Sequence, residues 1–245
     1  MASARPVWTV THAGHVRPEN EDRCCVGNWL SDGRNASWQG FLDCAPGWAA
    51  IADGMGGHDA GEVASEAAAR TIMRLAKDAQ SELDIARMLE AANDLIYEEM
   101  YGGRGRPAMG STVVGVVLRG HTVLIFNVGD SRLYLTRGPE LVLESVDDTL
   151  GRVVANRKIR SHALTQSLGG SYRRIPFTPH IKGKILSSGE GLLLCSDGLT
   201  DMLSDEEIGS IRSRRPTNPA QELVSAALDA GGSDNITVVV VGTPV

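Results

Sequence analysis

Aromatic side chains are scarce in this sequence: Phe, Trp and Tyr together make up 4% of its 245 residues. Val, Leu, Ile and Ala must therefore fill the interior. Cysteine is sparser still, with four residues. Cys24, Cys25, Cys44 and Cys195 form no CxxC pair and share no zinc-type spacing with histidine. That excludes a disulfide scaffold and a zinc module, and it points to free thiols in a reducing cytoplasm. No apolar run reaches the roughly 18 residues of a membrane span, and Met1 to Val10 lacks a signal-peptide pattern. No membrane segment is expected. An excess of positive charge is also missing. The net charge of -6 argues against a nucleic-acid partner and suits a site that binds cations.

What is present reads as one soluble domain over 1–245, long enough to bury a core. Strands are expected at Val7 to Thr11, Arg23 to Gly27 and Trp48 to Ala52, with Ser31 to Gly40 as a hairpin loop between them. Two helices follow. Asp59 with Glu62 caps the first, over Gly61 to Lys77, and Ser81 with Asp84 opens the second. Gly and Pro in Tyr101 to Pro107 end it. Strands then run from Ser111 to Leu118, His121 to Val128, Arg132 to Thr136 and Leu141 to Leu143. Residues 145–180 are polar and irregular, with a weak helix at Ser161 to Leu168. Gly191 to Cys195 is a buried strand. Ser204 with Glu207 caps a helix, and Asn218-Pro219 starts another that ends at Gly231-Gly232. The β-branched run Asn235 to Val241 must be a strand buried on both faces. This order does not alternate strand and helix strictly, so a doubly wound parallel sheet is disfavoured. Two antiparallel sheets packed face to face, with helices outside, fit better.

Four aspartates share a setting. Asp53, Asp130, Asp197 and Asp234 each lie beside an apolar strand, next to glycine or in a tight turn. Any one of them alone reads equally well as a turn signal. Four together, converging at strand ends, would have to take up protons or bind cations. Oxygen ligands without His or Cys select Mg²⁺, Mn²⁺ or Ca²⁺.

Six strings occur in order: Arg17-Pro-Glu-Asn-Glu-Asp22, Asp53-Gly-Met-Gly-Gly57, Gly110-Ser-Thr112, Val128-Gly-Asp-Ser-Arg132, Cys195-Ser-Asp-Gly-Leu199 and Ser233-Asp-Asn-Ile-Thr237. The series resembles that of the protein phosphatase 2C family, the metal-dependent serine/threonine phosphatases, from about Thr9 to the end. The resemblance implies an α+β fold: a four-layer αββα sandwich, two central antiparallel sheets flanked by pairs of antiparallel helices. It implies two core Mn²⁺ or Mg²⁺ ions and a looser third. Asp53 bridges the core ions, the Gly54 carbonyl binds the second, and Asp197 and Asp234 bind the first. Asp22, with Glu21, holds metal-bound waters. Asp130 joins Asp197 at the third site, and Arg17 clamps the phosphate. Two ions about 3.5–4 Å apart lower the pKa of a shared water enough for attack on phosphorus.

One position departs from many family members, which carry histidine after the first Asp-Gly. Here it is Met55, which cannot protonate a leaving group; His12, His15 and His58 lie nearby in sequence. Cys195 lacks a phosphate-cradling loop and reads as a core thiol. Asp147-Asp148 reads as a solvated loop. Residues 145–180 correspond to the family's variable flap. Their Arg152, Arg157, Lys158, Arg160, Arg173 and Arg174 are expected to attract acidic segments of phosphoproteins. The implied protein is a monomeric, cytoplasmic, bacterial stand-alone catalytic domain that opposes a Ser/Thr kinase. Its rivals are a catalytically silent phosphoprotein-binding module and a phosphatase of a small metabolite.

Overall fold

The computed structural model describes residues 4–44, 46–56, 60–150, 163–187 and 189–244, with the backbone of 152–154 and 157–159. The strands are β1 (Arg5–His12), β2 (Asp22–Val26), β3 (Trp29–Leu30), β4 (Asn35–Leu42), β5 (Gly47–Met55), β6 (Gly110–Ser111), β7 (Val113–Arg119), β8 (Thr122–Val128), β9 (Arg132–Arg137), β10 (Glu140–Leu143), β11 (Arg152–Val154), β12 (Arg157–Ile159), β13 (Leu168–Gly169), β14 (His180–Ile185), β15 (Gly191–Cys195) and β16 (Ile236–Val241). The helices are α1 (Ala60–Leu75), α2 (Glu82–Tyr101), α3 (Asp197–Thr200), α4 (Asp205–Ser213) and α5 (Pro219–Asp229).

One sheet has six strands in the order β10-β9-β15-β16-β1-β4. The other has eight: β13-β6-β5-β7-β8-β14, with β2 and β3 branching from β5. Every described pairing in both is antiparallel.

Three apolar clusters define four layers. Side-chain alternation along each strand decides which cluster a residue joins. In β5, Ala50 and Ala52 face α1 and α2 with Ala64, Ala68, Ile72, Leu89 and Ile96. The alternate residues Ala49 and Ile51 face the space between the sheets, with Val114, Leu133, Leu192 and Val239. In β16, Val239 and Val241 also face that space, while Ile236, Val238 and Val240 meet Leu223, Val224 and Ala227 of α5. Both central strands are thus apolar on two faces. Each fully buried Leu or Ile contributes roughly 1.5–3 kcal/mol.

The caps form as their sequences require. Ser81 and Asp84 make a reciprocal capping box at α2, and Ser204 and Glu207 make one at α4. Asn218 accepts from the Gln221 amide, with Pro219 in the first turn of α5. Asp59 lies outside the described residues. Among the described residues no helix is long and apolar enough to cross a membrane.

Four expectations change. Residues 35–42 are not loop but strand β4, paired along its length with β1. It is an edge strand, half exposed, so its apolar alternation is diluted by Asn35, Ser37, Gln39 and Gly40. Residues 180–185 form a second unanticipated edge strand, β14. The helix at 161–168 is absent over its described part: Leu164 bridges Thr149 and Leu168 begins β13. Asp148 is not solvated. It is 7% exposed and accepts from the Gly129 amide (2.9 Å), Gln166 Nε2 (2.9 Å) and His180 Nε2 (2.8 Å). Asp147 pairs with Arg132 at 2.5 Å.

Candidate metal centre and active site

The two sheets deliver acidic side chains to one edge of the sandwich. Asp22 opens β2 and lies directly opposite Asp53, near the end of β5. Asp130 sits in the turn between β8 and β9. Asp197 follows β15, and Asp234 precedes β16. A cleft of about 290 Å³ is lined by Asp53, Asp130, Asp197, Asp234, Gly54 and Arg17, with Glu21, Met55, Thr112 and Asn235 around them. Asp22 lies just beneath it, fully buried.

Hydroxyl groups on the six-stranded sheet hold Asp22 on the other. Its Oδ2 accepts from Thr237 Oγ1 at 2.6 Å and from Ser196 Oγ at 2.8 Å. Thr237 Oγ1 also pairs with Thr11 Oγ1 at 2.7 Å. Asp22 Oδ1 has no hydrogen-bond partner. Asn235 fixes the neighbouring loops. Its amide group donates to the Ala13 and Glu19 carbonyls, and its Oδ1 accepts from the Glu21 amide. The Asn235 backbone N–H donates to Asp234 Oδ1 at 2.8 Å.

The glycines beside the aspartates permit close backbone packing. A Cβ at Gly54 would strike the carbonyl oxygens of Gly61 and Glu21. At Gly198 it would strike the Asn235 carbonyl. The Asp-Gly pairs are therefore steric requirements of the convergence.

Crowding perturbs the carboxyls. Asp53 is pushed well above the usual carboxylate range, first by desolvation and then by Asp22, Asp197, Asp130 and Asp234. Desolvation pushes Asp197 up to about 8, reinforced by Asp130, Asp201, Asp234 and Asp22. Asp22 rises to about 6 through burial, against the Thr237 and Ser196 hydrogen bonds. Like charges at this density call for protons or cations.

The donor set fits hard divalent cations. It is all oxygen, and it includes an unpartnered buried carboxylate oxygen on Asp22. Among the described residues, no three or more His, Cys, Asp and Glu side chains are grouped closely enough to hold a metal ion. The carboxylates instead line an open cleft.

Arg17 reaches this cleft, where its Nη2 pairs with Asp234 Oδ2 at 2.7 Å. Neither His12 nor His15 is among the cleft-lining residues. His12 Nδ1 accepts from the Gly14 amide. His58 lies outside the described residues, as do Arg160 and the side chains of Arg152, Arg157 and Lys158. Arg174 is already engaged, with Asp94 at 2.5 Å. Sequence reasoning missed Asp201, which raises Asp197, and the bridging hydroxyls of Ser196 and Thr237. The last two sit inside the Cys195–Leu199 and Ser233–Thr237 strings, which was the available signal.

Comparison with known proteins supplies the family. The sequence profile described as Protein phosphatase 2C matches residues 38–230. The chain is 33% identical over 204 residues to the serine/threonine protein phosphatase PstP of Mycobacterium tuberculosis, covering 78% of this chain but 39% of that protein. It is 35% identical over 213 residues to the protein phosphatase PhpP of Streptococcus pneumoniae, covering 78% and 83%. A crystal structure of the PstP catalytic domain in complex with two manganese ions superposes with a TM-score of 0.78, at 29% identity over 99% of this chain and 100% of that one. Profile, relatives and superposition agree that this chain belongs to the protein phosphatase 2C family.

Proposed function

We propose that this chain hydrolyses phosphoserine and phosphothreonine in proteins, using Mn²⁺ or Mg²⁺, and so opposes a Ser/Thr kinase. The observation that carries the reading is the convergence of Asp53, Asp130, Asp197 and Asp234 with Arg17 in one cleft, above buried Asp22. The relatives named above, all phosphatases, support it, as do the two manganese ions of the PstP structure.

When bound, the cations supply Lewis acidity and make water a competent nucleophile near neutral pH. Asp53, Asp197 and Asp234 would hold the two core ions, with the Gly54 carbonyl. Asp130 and Asp197 would hold a looser third. Asp22 and Glu21 would act through water, which the unpartnered Asp22 Oδ1 is placed to accept from. Arg17 exchanges Asp234 for the phosphoryl oxygens and neutralises charge that builds on them. Met55 supplies no proton and, among the described residues, no histidine lines the cleft; water is the donor proposed for the departing alkoxide, with His58 outside the described residues. No covalent enzyme intermediate is required.

The four cysteines are free and buried, as a reducing cytoplasm would keep them. The test is phosphopeptide hydrolysis with and without Mn²⁺, by the wild type and by Asp197→Ala. Activity that ignores the metal, or survives the substitution, rejects the assignment.

A further inference from the structure

We propose that an uncharged pocket beside the acidic cleft receives an apolar side chain of the substrate polypeptide, close in sequence to its phosphorylated residue. This rests on the phosphoprotein reading above and narrows it to a substrate class. The pocket has a volume of about 340 Å³. Met55 and Leu164 line both it and the acidic cleft. The two cavities therefore share a wall, and that wall includes the residue two positions beyond Asp53.

The two cavities differ in charge. Six of the twelve residues lining the cleft are charged, whereas no Asp, Glu, Lys or Arg lines the pocket. Met55, Leu164, Ile175, Pro176 and Phe177 form the apolar part of its wall, and Thr165, Gln166, Ser167, Ser171 and two glycines form an uncharged polar part of similar extent. A charged side chain entering it would lose hydration and find no counter-charge. An apolar side chain has no charge to desolvate and gains contact with those five apolar residues. The size lies at the lower end for ligand pockets, roughly 300–1,000 Å³.

The pocket is also preformed, because α2 pins its outer wall. Tyr97 Oη donates to the carbonyls of Gly169 (3.3 Å) and Arg173 (2.9 Å). Tyr101 Oη donates to the Tyr172 carbonyl at 2.9 Å, and Asn93 Oδ1 accepts from the Gly169 amide at 2.8 Å. Gln166 closes the other side. Its Oε1 accepts from the Thr178 amide at 2.7 Å, and its Nε2 donates to Asp148. A rigid wall lowers the ordering cost of binding. In an extended polypeptide, side chains about two positions apart share a face and lie roughly 6.6 Å apart. A phosphoresidue in the cleft can thus lay such a neighbour into the pocket. Met55 becomes a specificity-determining residue, the divider between the two chemistries.

The experiment uses phosphopeptide pairs that differ only by Leu or Asp at one flanking position, scanned on both sides of the phosphoserine. Mn²⁺ is present, and p-nitrophenyl phosphate is run alongside. The wild type should prefer Leu at one position by about tenfold or more in kcat/KM, chiefly through KM. Ile175→Lys should shrink or reverse that preference; Ile175 is 57% exposed, so the variant should fold. Ser171→Trp, which fills the pocket, should abolish it. Equal turnover of the Leu and Asp peptides, or a preference that both variants retain, overturns the pocket. The phosphatase reading then still stands on p-nitrophenyl phosphate. If the wild type hydrolyses no phosphate ester with Mn²⁺ or Mg²⁺, the phosphatase reading falls and the pocket falls with it.

Discussion

The carboxylate of Asp22 on the eight-stranded sheet accepts a 2.6 Å hydrogen bond from the hydroxyl of Thr237 on the six-stranded sheet. Both residues are fully buried. This bond joins the two sheets under the floor of the acidic cleft. Thr237→Val keeps the shape of the side chain and removes the donor. Leaving a buried acceptor short of a partner costs about 1–3 kcal/mol. Urea denaturation of the two proteins should show that loss. An unchanged midpoint would mean that water replaces the hydroxyl.

The raised carboxyls set a pH dependence. In the metal-free fold they keep protons that the unfolded chain has released. The resulting penalty is absent below the ordinary carboxylate value of 3.8 and grows as pH rises through about 6 for Asp22 and about 8 for Asp197. Metal-free protein should therefore lose this part of its stability between pH 4 and pH 8. Manganese should reverse the trend, because it takes the ionised form and releases protons. Thermal melts across that range, with EDTA and with Mn²⁺, test both slopes.

Asp197→Asn separates stability from function. It removes one of several mutually repelling charges, so the metal-free variant should melt higher than the wild type at pH 8. A gain of about 1 kcal/mol corresponds to roughly 2–4 °C for a chain of this size. The same variant should lose about 100-fold or more in kcat/KM, since even partners outside the ligand set commonly cost 10–100-fold. A variant that melts lower and stays active would contradict both halves.

Asp148 links three segments: the turn that carries Asp130, the base of the flap, and β14. Asp148→Ala strips the Gly129 amide, Gln166 and His180 of their common acceptor. A stability loss of about 1–3 kcal/mol is expected, together with a raised KM for phosphopeptides. Asp148→Asn, which keeps one acceptor oxygen, should recover part of both.

The sequence was most legible where local rules act alone. The Ser81–Asp84 and Ser204–Glu207 boxes need only four residues each, and both form. The Val-rich run of β16 announces a strand buried on two faces, and it is one. Edge strands were harder to see. β14 carries Lys182 and Lys184, which pair with Glu144 and leave little alternation to detect. The aspartates were legible because each ends or precedes an apolar strand. The hydroxyls that position them were not, because Ser196 and Thr237 reach Asp22 across 174 and 215 residues of chain. Asp148 misled for a related reason: its three partners come from residues 129, 166 and 180, and nothing local marks it as buried.

The bond between residues 22 and 237 also bears on biosynthesis. Thr237 lies in β16 and Asp234 just before it, so both are synthesised after Asp22, Asp53, Asp130 and Asp197. A nascent chain that has not yet extruded residues 234–241 has neither its final carboxylate nor the hydroxyl that orients Asp22. Completion of the acidic cleft therefore waits on β16, which pairs between β15 and β1.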